Sequence, residues 1–259
     1  MIDKRKGYGL SEMKRQPVQR IILLGAALIS IVGYPLPAGS EPAMVLGEIL
    51  RKTEAYYQSV HAFTAYFQQW STSAAAGAIT SEASGRLYYQ KPRQMRWEYD
   101  TPEPQVFVAN HDYAWLYVPS ENQISLFDAK ALFASPLAQA FFDGIIELKK
   151  NFEVSLDVSQ SSQSSAVLKL IPKKEDPSIE SLLLWIDMRT NRILRIDTRD
   201  LVGNVNRIVL DSQKVAPSLD AKLFQLEVPP SATIIDADGR EMTSADIDKL
   251  KQTIEKQAK

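Results

Sequence analysis

Cysteine is absent from this 259-residue chain, and histidine occurs only twice. Without cysteine there is no disulfide framework, no thiolate metal site and no sulfur nucleophile. No cysteine at a mature N-terminus can carry a lipid anchor either. His61 and His111 have no metal-ligating neighbour at useful spacing, and two histidines leave little for a zinc site or a His-dependent triad. A charge excess is also missing. The 30 Lys and Arg face 31 Asp and Glu, which argues against a general nucleic-acid binder. No G-x-S-x-G, P-loop, G-x-G-x-x-G or H-E-x-x-H motif occurs. Asp236-x-Asp238-Gly239 lacks the later Glu and the preceding helix of a calcium loop, and reads as a turn. The expectation is a chain with no catalytic residues, no cofactor and no metal.

What is present begins with a basic N-terminus. Lys4, Arg5, Lys6, Lys14, Arg15 and Arg20 precede the uncharged run Ile21–Tyr34, and Pro37-Ala38-Gly39-Ser40 follows. A basic segment, an apolar segment and a small-residue exit describe a secretory signal over residues 1–40, with cleavage after Ala38 or Ser40. The alternative is a retained anchor, but the run is shorter than the ~20 residues a spanning helix needs. Residues 1–40 hold six basic and two acidic side chains, so 24 basic then face 29 acidic, a net charge of −5 over 219 residues. An exported, Cys-free, mildly acidic protein suits a bacterial periplasm.

Residues 41–259 read as one domain. Val45, Leu46, Ile49, Leu50, Tyr56, Tyr57 and Val60 form one stripe of a helix over 43–60. From Phe63 the period drops to two. Met95, Trp97 and Tyr99 alternate with Gln94, Arg96, Glu98 and Asp100. Turn signals then separate strands at 105–109, 113–118 and 123–127. Helical spacing returns at 128–150, split by Pro136. Further strands are expected at 153–158, 166–172, 181–188, 193–199, 206–212 and 222–228, with a last helix capped by Thr243 or Ser244. The fold class is α+β: a curled antiparallel sheet of about 10–11 strands with helices over one mouth. Glu98, Asp100, Asp187 and Asp197 read as solvent-facing.

Several strands are apolar on both faces, notably Leu182–Ile186, Val167–Ile171 and Trp115–Val118. A one-sided sheet needs only one apolar face. Either both sides are covered or one lines a cavity, and the pattern alone leaves both open.

Between Gly85 and Pro119 the residues resemble a known family. Gly85-Arg86-Leu87-Tyr88-Tyr89-Gln90-Lys91-Pro92, Met95-Arg96-Trp97-Glu98-Tyr99, Pro104-Gln105 and Trp115-x-Tyr117-x-Pro119 are similar to the outer-membrane lipoprotein carriers, the LolA-like proteins. Phe63-x-x-x-Phe67-Gln68-Gln69 and Asp220-Ala221-Lys222-Leu223-Phe224 extend the match. The resemblance implies an incomplete barrel with a helical lid over an apolar cavity. It implies acylated lipoprotein as cargo, an inner-membrane ABC transporter as donor, and an outer-membrane acceptor or membrane as recipient. A monomer is expected. Met95, Trp97, Tyr99, Phe107, Trp115, Tyr117 and Leu126 would line the cavity. Phe141, Phe142 and Ile145 of the lid would fill it when empty. Lys91 stands where well-known members carry an Arg that ties the lid to helix backbone, so the lid is held more loosely or Lys91 is a surface residue. Arg93 and Arg96 could share that role.

A buried acyl chain is worth about 0.8 kcal/mol per CH₂, on the order of 10 kcal/mol in all. Self-occupation by the lid would weaken binding and favour onward transfer. Two other readings stay open on the same fold: a carrier of another lipid or glycolipid, and a lipid-sensing envelope-stress regulator. Such regulators carry a second domain, for which 219 residues leave little room. The lipid-anchored acceptor of this fold needs an N-terminal Cys.

Overall fold

The computed structural model describes residues 42–75, 80–111, 113–129, 133, 145–176, 178–225, 227–243 and 245–247. Helix α1 spans Pro42–Ser59. Proline at its first position gives up an N–H that has no partner in the first turn. A meander of β1 (Ala62–Thr72), β2 (Thr80–Gln90), β3 (Gln94–Thr101), β4 (Gln105–Ala109), β5 (Tyr113–Val118) and β6 (Gln123–Asp128) follows. Helix α2 (Ile145–Asn151) leads into β7 (Phe152–Leu156), β8 (Ser165–Pro172), β9 (Ser181–Asp187), β10 (Ile193–Arg199) and β11 (Val205–Ala216). A short β12 (Thr233–Ile235) ends the series. No helix among the described residues is long and apolar enough to cross a membrane.

The sheet order is β12-β6-β5-β4-β3-β2-β1-β11-β10-β9-β8-β7. Each meander pairs with its chain neighbours, and β1 with β11 joins the two halves, from Ala62↔Ala216 to Thr72↔Val205. The result is the expected curled, unclosed antiparallel sheet with helices on one side. A first departure is that β12 pairs with β6 in parallel. Three residues are too few for periodicity to mark.

Residue 222–228 is the second departure. Ala221–Phe224 is a 3-10 turn, not a strand. The Asp220 carboxylate accepts the Lys222 N–H at 2.9 Å, a local bond that competes with strand pairing. Phe224 is then pinned in an apolar core. Thr243, in contrast, caps as expected: Asp246 N–H donates to its hydroxyl, and its own N–H donates to the Asp246 carboxylate.

Both faces of the sheet are covered, which accounts for the doubly apolar strands. On one face, termed concave because it carries helix α1, that helix lies across two clusters. Ile49 and Leu50 meet Leu168, Leu170, Leu182, Leu184 and Ile186. Tyr56 and Val60 meet Phe63, Phe67, Leu87 and Tyr89. On the convex face of β4–β6, the segment after β11 acts as a strap. Its Leu219, Leu223, Phe224 and Ile234 pack on Val108, Trp115, Ile124 and Leu126. Polar side chains hold it: Gln90 accepts the Leu219 N–H, Arg96 donates to Leu223 O, and Asn110 donates to Phe224 O.

Over β8–β11 the convex face is closed differently. Arg195 stacks on Trp185 at 3.8 Å from the ring centroid. Asp197, expected to face solvent, is 8% exposed. It accepts from Arg195 Nε at 2.7 Å and from Arg207 Nη2 at 3.1 Å. Cross-strand register places Arg207 directly opposite, which a single-strand pattern does not reveal. Burial alone would raise the Asp197 pKa, but hydrogen bonds and charge from the two arginines outweigh it and hold the carboxyl below its usual range. Its contribution to stability is therefore complete above about pH 4 and is lost as pH falls through the lowered folded value. Asp197→Ala should cost about 2 kcal/mol at pH 7 by urea unfolding, because two guanidinium groups lose their partner. The difference from the parent should shrink as pH falls below about 4; a constant difference down to pH 2 would contradict the ion-pair account.

Candidate functional site

Strand parity sorts the aromatic residues. Trp97 pairs with Leu87 on one side and Phe107 on the other, and Phe107 pairs with Leu116. Those side chains share the concave face, where Met95, Trp97, Tyr99 and Phe107 pack on one cluster with Phe67 and Tyr89. Phe67 is the centre. Its ring meets Trp97 edge-on at 4.7 Å and Tyr99 at 5.0 Å. Trp115 pairs instead with Val108 and Leu126. Trp115, Tyr117 and Leu126 thus belong to the convex cluster beneath the strap. So the structure brings together four of the seven strand residues expected around one cavity and puts three on the opposite face. Leu116, not Trp115, shares the face of Phe107, because adjacent strand residues point opposite ways. The side chains of Phe141, Phe142 and Ile145 lie outside the described set.

The three expected gate residues also separate. Lys91 closes the turn between β2 and β3, and its own N–H bonds His61 O. Its Nζ donates to Tyr57 O at 2.6 Å and to Gln58 O at 3.4 Å. These are carbonyls of the last turn of α1, which lack helical partners and carry the negative end of the dipole. Partial burial pushes the Lys91 pKa below the ordinary lysine value. Arg93 stands over the Phe133 ring at 5.3 Å. Arg96 lies on the convex face and holds Glu98 at 2.7 Å and the strap at Leu223.

Tyr57 anchors the same end of α1 from inside, where its hydroxyl accepts the Ile193 N–H at 3.0 Å. Burial pushes this phenol well above its usual range, so it stays neutral. Around it the fit is imperfect. Among the described residues, Thr53 Oγ1 and Arg192 Nε are buried without a hydrogen-bond partner. Buried polar atoms left without partners cost free energy. Lys91→Ala should speed amide exchange in the last turn of α1 about fivefold, the equivalent of about 1 kcal/mol. Lys91→Arg should restore protection; unchanged exchange in the Ala variant would reduce Lys91 to a surface residue.

Beyond Tyr99 the concave face turns polar. A hollow of about 200 Å³ is lined by Gln69, Ser71, Ser81, Ala83, Tyr99, Pro102, Glu103 and Gln105. Tyr99 bridges the two zones, its ring on Phe67 and its hydroxyl donating to Gln69 Oε1 at 3.2 Å. The sequence signal for these residues is the continued alternation Phe63, Ala65, Phe67, Gln69, Ser71, which leaves the apolar set while keeping the same face. Among the described residues no group of three or more His, Asp or Glu could hold a metal ion.

The chain is similar to several known proteins. An outer-membrane lipoprotein carrier protein of Methylobacillus flagellatus is 26% identical over 195 residues, 75% of this chain and 92% of that protein. One from Azotobacter vinelandii is 25% identical over 83% of this chain and 97% of its own length. The solved structure of a LolA superfamily protein from Nitrosomonas europaea aligns with a TM-score of 0.39 at 13% identity, covering 70% of this chain and 97% of that one. The sequence model of the family described as outer membrane lipoprotein carrier protein LolA matches residues 58–227, more than half of the chain, and the chain belongs to that family.

Proposed function

We propose that this chain is a periplasmic carrier that binds the acyl chains of lipoproteins and shuttles them from the inner to the outer membrane. Family membership carries the reading. The concave face supports it: Phe67, Trp97, Tyr99 and Phe107 form an apolar surface, and α1 lies over the face with its last carbonyls held by Lys91. In this reading residues 1–40 are the export signal and 41–259 the carrier. Lys91 is the latch, and Met95, Trp97, Tyr99 and Phe107 meet the acyl chains. Cargo arrives from an inner-membrane ABC transporter and leaves for an outer-membrane acceptor. The protein catalyses no reaction; binding and release exchange one apolar contact for another.

The test is to express the full chain with an acylated lipoprotein, isolate the periplasmic protein and identify what it carries by mass spectrometry. Acylated lipoprotein at near one-to-one ratio is expected. Free glycolipid in its place would overturn the assignment in favour of another lipid carrier on this fold.

A further inference from the structure

The polar hollow at the far end of the concave face has no part in holding α1 and is poorly suited to an acyl chain. Gln69, Ser71, Ser81 and Gln105 line it with neutral hydrogen-bonding groups, and Glu103 adds one carboxylate. Neither Lys nor Arg is among the lining residues. Its orientation is set by a network. Gln69 Oε1 accepts from Tyr99, and Gln69 Nε2 donates to Asn206 Oδ1 at 2.8 Å. Ser71 Oγ donates to the same Asn206 oxygen at 3.2 Å. That use of Gln69 leaves one amide N–H to offer. The Gln105 side-chain amide has no hydrogen-bond partner among the described residues and can both donate and accept.

We propose that this hollow is a subsite for the peptide that adjoins the acyl chains, and that it selects neutral amide groups over anionic lipid headgroups. The inference rests on the carrier reading and deepens it. A peptide group presents one carbonyl acceptor and one N–H donor, which matches Gln69 N–H, the Gln105 amide and the Glu103 carboxylate. A phosphate presents only negative acceptors, would meet Glu103, and finds no cation in the lining. Tyr99 sets the join: chains run along its ring and the first peptide groups sit past its hydroxyl.

The experiment uses the purified full-length mature protein and three probes of identical chain length: a diacylated tetrapeptide amide of neutral residues, the matching diacylglycerol, and the matching phosphatidylglycerol. Affinities are read by displacement of a fluorescent fatty-acid analogue. The parent should prefer the lipopeptide. Gln105→Ala should weaken lipopeptide about fivefold and leave diacylglycerol within about twofold. Ala83→Trp, which fills the hollow, should do the same by exclusion. Glu103→Gln should tighten phosphatidylglycerol about threefold. Thermal melts confirm that each variant is folded. Lipopeptide binding unchanged in both Gln105→Ala and Ala83→Trp would overturn the subsite while leaving the carrier reading intact. No binding of any probe by the parent would overturn both.

Discussion

Gly85→Ala should destabilise the protein by at least ~3 kcal/mol, the largest effect expected of any single methyl group here. Gly85 sits on β2 opposite Tyr99 of β3, beside an irregularity in register between Ser84 and Gly85. A Cβ there would overlap the Glu98 carbonyl oxygen, stand 2.8 Å from the Glu98 carbonyl carbon and 2.9 Å from Tyr99 Cα. All three atoms are backbone, so no rotamer change relieves the clash. The two strands must part, and the ladder between β2 and β3 supports Leu87, Trp97 and Tyr99. For a domain of this size the melting temperature should fall by about 10 °C. Larger residues such as Val should abolish soluble expression. A Gly85→Ala protein that melts within 2 °C of the parent would show that the strands accommodate the methyl group. The glycine's conformational freedom is not the issue; close backbone approach is.

Phe67→Ala comes next, with an expected loss of about 3–5 kcal/mol. Phe67 is 1% exposed and touches both Trp97 and Tyr99 edge-on. Truncation removes the buried ring, leaves a void, and forfeits two aromatic contacts of roughly 0.5–1.5 kcal/mol each. Tyr66 supplies the control. It is the adjacent residue on the same strand, 54% exposed on the other face. Tyr66→Ala should cost less than about 0.5 kcal/mol. Urea unfolding of both variants tests the parity of β1 directly: equal losses would mean that the concave face has been misassigned. Phe67→Leu should recover much of the loss, since it refills most of the volume.

Much of this fold was legible in the chain. Strand β3 announced itself by Met95, Trp97 and Tyr99 alternating with polar residues, and β4, β5 and β10 begin and end where turn residues predict. Those signals are local, set by one strand and its turns. The expected strand at 222–228 failed because an Asp220 side chain captured the backbone and Phe224 was needed in a distant core. Asp197 reads as solvent-facing in the sequence because its partners lie on its own face of β10 and on β11, where only register brings them together. Of the expected site, Met95, Trp97, Tyr99 and Phe107 fell on one face because two-residue spacing within β3 is reliable and pairing with β4 is short.

Trp115, Tyr117 and Leu126 mark the limit. Each strand's alternation determined which side chains share a face, but the doubly apolar strands left open whether both faces are covered or one lines a cavity. The sequence by itself also determined the family, through Gly85–Pro119, and the missing cysteine. It did not determine which face of β5 the strap would cover. β5 is apolar on both sides, so its own residues contain no preference. That choice was made by residues more than 90 positions later, when Leu219, Leu223 and Phe224 closed over Trp115 and left Phe107 and Leu116 to the concave side. A two-sided hydrophobic strand is indifferent to its orientation until something covers one of its faces, and only the tertiary structure supplies the cover.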